Sequence, residues 1–148
     1  MKTDNLQIGF AIQGIKTEQF ALLEANYNLK KEPDLVTELQ FKLDQTNKQI
    51  GVYIGFEFIQ TKKVFMKIVV SCHFKIQEES WNTNLIKKGN KQIVPKILLA
   101  HLAMITVGTS RGILFAKTEG TEFAKFIIPT INVAEMIPED TTFDIVEE

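Results

Sequence analysis

The chain has 148 residues, with 17 Lys and Arg against 18 Asp and Glu and a formal net charge of -1. This length fits one domain, and 45% hydrophobic with 24% charged residues is globular composition, which excludes a disordered or fibrous protein. The balanced charge argues against nucleic-acid binding, because phosphate contacts need an excess of Lys and Arg. A single Cys excludes an internal disulfide framework and, being compatible with a reducing compartment, favours a cytoplasmic protein.

No segment predicts membrane insertion or export. The most apolar run, residues 93–107, is interrupted by Lys96 and His101 and is shorter than the roughly 20 residues of a membrane-spanning helix. The N-terminus has no continuous apolar core of the kind found in secretory signals. Without a linker or repeat, we expect one domain over residues 1–148.

Alternation of apolar and polar residues predicts strands over about residues 7–76. The segments with this period are 8–12, 20–29, 37–44, 49–58 and 64–76. Short polar turns, such as residues 61–63, join the later ones into hairpins. An antiparallel sheet with one apolar face follows.

The second half predicts one helix between irregular segments. A polar connection, residues 77–92, leads to a helix over about 94–108, with Pro95 in its first turn. Gly108 and Gly112 are stop signals, and a crossover and short tail, 109–148, complete the fold.

This helix is apolar nearly all round, whereas a helix that covers a single sheet keeps a polar stripe. We therefore expect a second cover, which is the same helix of another subunit. The interface residues predicted for this homo-oligomer are Ile97, His101, Met104 and Ile105.

The sequence predicts no enzyme and no metal or cofactor site. It has no phosphate loop and no nucleophile elbow. The neighbours Cys72 and His73 lie on a strand, so their side chains point to opposite faces and cannot share a metal ion.

Large apolar side chains outside the core pattern are the more informative feature. They lie on the polar side of the strands or in connecting segments, and they are Tyr53, Phe65, Phe115, Phe123, Phe126, Ile127 and Ile128. One interpretation is that a second subunit covers them. The other is an apolar groove that accepts other polypeptides, since contiguous exposed apolar surface usually marks interaction.

The order of these elements resembles the SecB-type protein-export chaperones over about residues 8–135. The similar segments are FAIQGIKT (10–17), CHFKI (72–76), IVPKILLAHLAMITVGTSRG (93–112) and IIPTINV (127–133). The resemblance implies an α+β fold, with a four-stranded antiparallel sheet and a long helix in the interface of a homotetramer that is a dimer of dimers. It also implies ATP-independent holding of unfolded polypeptide for delivery to the SecA motor.

The sequence differs from that family in two respects, and it leaves two alternative functions open. The crossover is longer than in the family, and the tail after Val133 is too short for the family's second long helix. One alternative is a SecB-like chaperone of a toxin–antitoxin pair, with an antitoxin as partner. The other is a structural or adaptor protein that keeps only the fold.

Overall fold

A four-stranded antiparallel sheet forms the framework of the protein, whose computed structural model describes residues 7–145. The strands are β1 (Phe10–Leu22), β2 (Asp34–Asp44), β3 (Gln49–Gln60) and β4 (Lys63–Ile76), in the spatial order β1-β4-β3-β2. The predicted α+β class, with an antiparallel sheet followed by a long helix, is confirmed.

Strand β1 joins the predicted run 8–12 to the first three residues of the predicted run 20–29. The prediction is wrong for the rest of that run, because residues 23–29 form a connection that contains a 3₁₀ turn (Glu24–Asn26). Strand β1 pairs with β4 in a register that shifts between Ile12 and Gly14 and again between Thr17 and Gln19. Each shift inserts one extra residue, and each reverses the faces to which the following side chains point. This is why the alternation breaks in the sequence although the strand continues.

The core lies between the sheet and the helix α2 (Lys96–Thr118), which packs against β3 and β4. Alternate residues of β3 and β4 are fully buried on this face, as the period of two predicts. Cys72 is among them, and the largest fully buried side chains include Phe56, Phe74, Leu99 and Leu102.

Helix α2 is ten residues longer than predicted at its C-terminal end. Gly108 and Gly112 lie inside it, and it ends just before Gly120, whose φ of +82° suits a residue that terminates a helix. Buried Leu114 and Thr118 continue the packing face through the last turns, so tertiary packing outweighs the low helix propensity of glycine.

The prediction that this apolar segment is too short to span a membrane does not hold for the helix as it is formed. Its 23 residues are long and apolar enough to cross one by length and composition, with 44% of the most apolar window buried inside the protein. Core helices of soluble proteins meet the same criterion, so this finding indicates no location.

A second, three-stranded sheet was not predicted. The connection after β4 contains a short helix α1 (Glu78–Asn84) and the hairpin β5 (Ile86–Lys88) and β6 (Lys91–Val94), and β6 pairs with β7 (Thr141–Asp144). Strands of three or four residues are too short to show a periodic pattern. A one-turn helix α3 (Val133–Met136) precedes β7.

The tail reaches back to the start of α2. The backbone N–H of Lys96 donates a hydrogen bond of 2.9 Å to a carboxylate oxygen of Asp140. Because Pro95 at the N-cap offers no side-chain acceptor, this distant carboxylate serves as the helix cap and carries a negative charge to the positive end of the dipole.

Candidate functional site

An aromatic cluster occupies the end of the sheet where β3 turns into β4. Its members are Tyr27, Phe58, Phe65, Phe123 and Phe126. Ring centroids lie 4.9 Å apart for Tyr27 and Phe123, 5.1 Å for Tyr27 and Phe65, and 5.2 Å for Phe65 and Phe126. Rings from the β1–β2 connection, the sheet and the crossover therefore meet at one place.

Phe65 faces the core rather than the polar side of the sheet. Phe58 pairs with Met66 and Ile59 pairs with Val64, which leaves Phe65 as an extra residue on β4. A bulge of this kind turns two consecutive side chains to the same face, so Phe65 and Met66 are both fully buried. The strict alternation on which the sequence prediction depended fails at this residue.

The buried side chain of Gln60 fixes the connection that carries Tyr27. Its Nε2 donates to the carbonyl oxygens of Asn28 (3.0 Å) and Lys31 (2.9 Å), and its Oε1 accepts from the N–H of Asn28 (2.8 Å). Asn26 Nδ2 donates to the carbonyl of Val64 at 2.9 Å. Sequence reasoning missed Gln60 and Tyr27, because nothing in the pattern marks a buried glutamine at a strand end.

The crossover is held by Arg111 on α2. Its Nε donates to the carbonyl oxygen of Ile128 at 2.6 Å and its Nη2 donates to that of Pro129 at 2.8 Å. Thr121 caps the short 3₁₀ turn Glu122–Lys125 by accepting from the N–H of Phe123. These bonds set the position of Phe123 and Phe126 against the sheet.

Crossover residues approach the half-buried core face of β2 at two places, and we call this region the β2 groove. At the cluster end, the ring centroid of Phe126 lies 6.0 Å from that of Phe58, which pairs with Leu35 on β2. Further along, a cavity of about 500 Å³ is lined by Leu39, Phe41, Met136 and residues 137–142. Leu29 and Ile127, at the cluster end, are 74% and 59% exposed.

Lys125 stands over the cluster end of this groove. Its Nζ lies 5.7 Å from the ring centroid of Tyr27 and 5.3 Å from that of Phe126. The neighbouring Tyr27 side chain raises the pKa of Lys125 above its usual value, and the carboxylates of Glu122 and Glu32 add to this effect.

The predicted binding residues are distributed over three places. Phe65, Phe123 and Ile128 are buried, while Phe126 is half-buried and Ile127 exposed beside the β2 groove. Phe115 is 48% exposed on α2. Tyr53 lies on the face of the sheet that points away from α2, with its ring 4.5 Å from Lys42 Nζ. The structure thus brings together the residues of the crossover and Phe65, but not Tyr53 or Phe115.

A second apolar surface follows one side of α2, and we call it the helix stripe. Its residues recur at helical spacing on the exposed side, and they are Ile97, His101, Met104, Gly108, Gly112 and Phe115. Ile97 and Met104 are 54% and 61% exposed, whereas Ile105 is half-buried. The stripe runs beside β1, where Ile12 and Ile15 are also exposed.

A hydrogen-bonded row of polar groups crosses the face of the sheet away from α2. Ser71 Oγ donates to a carboxylate oxygen of Glu18 at 2.7 Å and lies 3.0 Å from His73 Nε2. Since a hydroxyl has one proton, His73 is the donor in the second contact. The acid bonds the serine rather than the histidine, and Ser71 is fully buried, so this row lacks the arrangement of a catalytic triad.

Neither the arrangement of metal-ligating side chains nor comparison with known proteins indicates a particular chemistry. Among residues 7–145, no group of three or more His, Cys, Asp or Glu side chains is placed to hold a metal ion. No family model matches the chain, and no curated protein is significantly similar to it.

Proposed function

We propose that the protein is an ATP-independent molecular chaperone of the SecB type that holds unfolded or non-native polypeptide. The observation that supports this proposal is the β2 groove, with its half-buried apolar floor and the exposed Leu29 and Ile127 at one end. An apolar groove of this form gains free energy from any extended segment that buries apolar side chains, with little regard to sequence.

The position of β2 adds a second means of holding a client. It forms one edge of the four-stranded sheet, and an edge strand has backbone N–H and C=O groups directed outward. An extended client can pair with such an edge while its alternate side chains enter the groove. Holding by burial and backbone pairing needs no covalent chemistry, so the proposal assigns the protein no enzymatic activity.

The proposal includes the oligomeric state and the cellular location of the SecB-type family, which this chain resembles. We place the protein in the cytoplasm as a homotetramer, a dimer of dimers in which the helix stripes of α2 are covered, with no nucleic acid or membrane as partner. Preproteins for the Sec pathway are the proposed clients and SecA the proposed acceptor. An antitoxin is the alternative client, which a toxin gene beside this one would favour.

The test measures aggregation of an unfolded model protein diluted from denaturant, without ATP. We expect the chain to suppress light scattering at stoichiometric concentration, and no protection at molar excess would contradict the proposal. Ile127→Ser should weaken protection. Val36→Ser is the matched control, because Val36 is also exposed but lies on the opposite face of β2.

A structural or adaptor protein is the second candidate, and the helix stripe favours it. If assembly covers all exposed apolar surface, the protein should form a stable oligomer and yet leave aggregation of the model protein unchanged. Light scattering of the oligomer and the aggregation assay together separate the two functions.

A further inference from the structure

Exposed lysines gather at the cluster end of the β2 groove. They come from three segments of the chain, and they are Lys30, Lys31, Lys62, Lys63 and Lys125. We propose that this end of the groove selects client segments with acidic residues at one end of an apolar run. The inference rests on the proposed function and deepens it, because it names the class of polypeptide that the groove holds.

Contacts around the aromatic cluster bring these lysines together. Lys31 Nζ donates a hydrogen bond of 2.8 Å to Thr61 Oγ1, which joins the β1–β2 connection to the β3–β4 turn. Lys125 lies over the rings of Tyr27 and Phe126, as described above. The apolar surface for a client is adjacent, since the exposed Leu29 precedes Lys30 in the chain and the exposed Ile127 follows Phe126.

The backbone of the β3–β4 turn gives an independent indication. The turn consists of Thr61 and Lys62, whose φ angles are +50° and +64°, between the paired residues Gln60 and Lys63. Glycine or asparagine ordinarily occupies such a turn, because the left-handed conformation brings Cβ close to the following carbonyl oxygen. Larger side chains are kept here at a conformational cost, and strain of this kind is concentrated at functional sites. Thr61 accepts the bond from Lys31, and Lys62 adds a charge at the turn.

Carboxylates on the same segments do not occupy these lysines. They are Glu24, Glu32, Asp34 and Glu122, of which Glu32 and Glu122 lie near Lys125. Within residues 7–145, no carboxylate forms an ion pair with any of the five lysines. Their ammonium groups therefore keep hydrogen-bond donors for the carboxylates of a bound segment.

The other end of the groove has the opposite charge. Glu139 and Asp140 line the cavity beside Leu39 and Phe41, and an acidic residue of a client would be repelled there. Leu35, at the cluster end, is six residues from Phe41 on β2, which corresponds to about 20 Å of strand. The fitting segment is therefore an apolar run of about six residues with acidic residues at one end and not at both.

The expected effect is electrostatic and depends on salt. An exposed ion pair strengthens binding by up to about fivefold, so two acidic residues should lower the Kd by roughly 5- to 30-fold relative to two serines. Two lysines in their place should raise it. The Debye length falls from about 10 Å at 0.1 M salt to about 3 Å at 1 M, and the difference between the peptides should shrink to about twofold at the higher concentration.

The experiment is fluorescence anisotropy of the full chain with labelled peptides whose ends are blocked. They share an apolar run of about six residues and carry two Asp, two Ser or two Lys at one end. Each pair is tested at either end of the run, because a client can pair with β2 in both directions. The Asp peptide should bind tightest and the Lys peptide weakest.

Charge reversal in the protein separates a charge effect from a structural one. The double variant Lys30→Glu with Lys62→Glu should invert the preference, so that the Lys peptide binds tighter than the Asp peptide. The matched control is Lys87→Glu with Lys88→Glu, which changes the net charge equally on β5 of the three-stranded sheet and should keep the wild-type preference. Circular dichroism checks that both variants are folded.

Equal binding of the Asp and Ser peptides to wild type, or a preference unchanged by the Lys30 and Lys62 reversal, would overturn the inference. Either result would leave the holding function intact, provided that the peptides bind. If no peptide binds and aggregation of the model protein is not suppressed, the proposed function fails and the inference fails with it. A single-stranded oligonucleotide that binds at least as tightly as the Asp peptide would also overturn the assignment to polypeptide.

Discussion

Replacement of Arg111 by alanine tests whether this side chain positions the crossover. Arg111 donates to two carbonyl oxygens, of Ile128 and Pro129, and the first belongs to a residue that is 1% exposed. Hydrogen bonds from charged groups contribute roughly 1.5–3 kcal/mol each, and the lower figure applies here because water can reach the Pro129 carbonyl. We expect Arg111→Ala to lower the free energy of unfolding by about 2–3 kcal/mol.

The assay is urea unfolding followed by fluorescence of the single tryptophan, Trp81, which is buried in α1. Protein concentration must be held constant, because the proposed self-assembly would add to the apparent stability. Arg111→Lys keeps the charge but loses the planar fork, so an intermediate loss of about 1 kcal/mol is expected. Lys117→Ala, on the exposed side of the same helix, is the control. A loss below about 0.5 kcal/mol in Arg111→Ala would refute the positioning role.

Three further predictions concern other contacts. Asp140→Ala removes the cap of α2 and should cost about 1 kcal/mol in urea unfolding, whereas Asp140→Asn should cost less because the amide oxygen still accepts. Gln60→Ala leaves the polar groups of the Tyr27 connection without their partner, and limited proteolysis should cut that connection faster than in wild type; equal rates would contradict this. Under the proposed function, Phe126→Ser should weaken suppression of aggregation without changing the particle size in light scattering, whereas Phe115→Ser should reduce that size; the reverse result would exchange the roles of the two surfaces.

Much of the sheet could be predicted because β2, β3 and the part of β4 beyond its bulge keep a period of two. In β2, β3 and most of β4 the residues that alternate in the sequence also alternate in burial. The predictions failed where one extra residue enters a strand. Bulges at Gln13, Glu18 and Phe65 depend on the partner strand, and a single strand's pattern contains no information about its partner.

The end of the helix and the layout of the site depend on contacts distant in sequence. Gly108 and Gly112 are local stop signals, and the burial of Leu114 and Thr118 outweighs them. The sequence shows that large apolar residues occur in the connecting segments. It does not show which of them belong to the β2 groove and which to the helix stripe. That distinction depends on which side of α2 faces β1, and only the fold determines it.

The strand order has a consequence for how the chain is made. Strand β1 is synthesised first, but its partner is β4, and Phe10 pairs with Ile76. The hairpins β2–β3 and β3–β4 close over short turns, whereas β1 must close a loop of more than 40 residues and pays more entropy to do so. We therefore expect β1 to join the sheet last, although it is synthesised first. Until β1 pairs with β4, the edge of β4 that it will occupy has unpaired backbone groups.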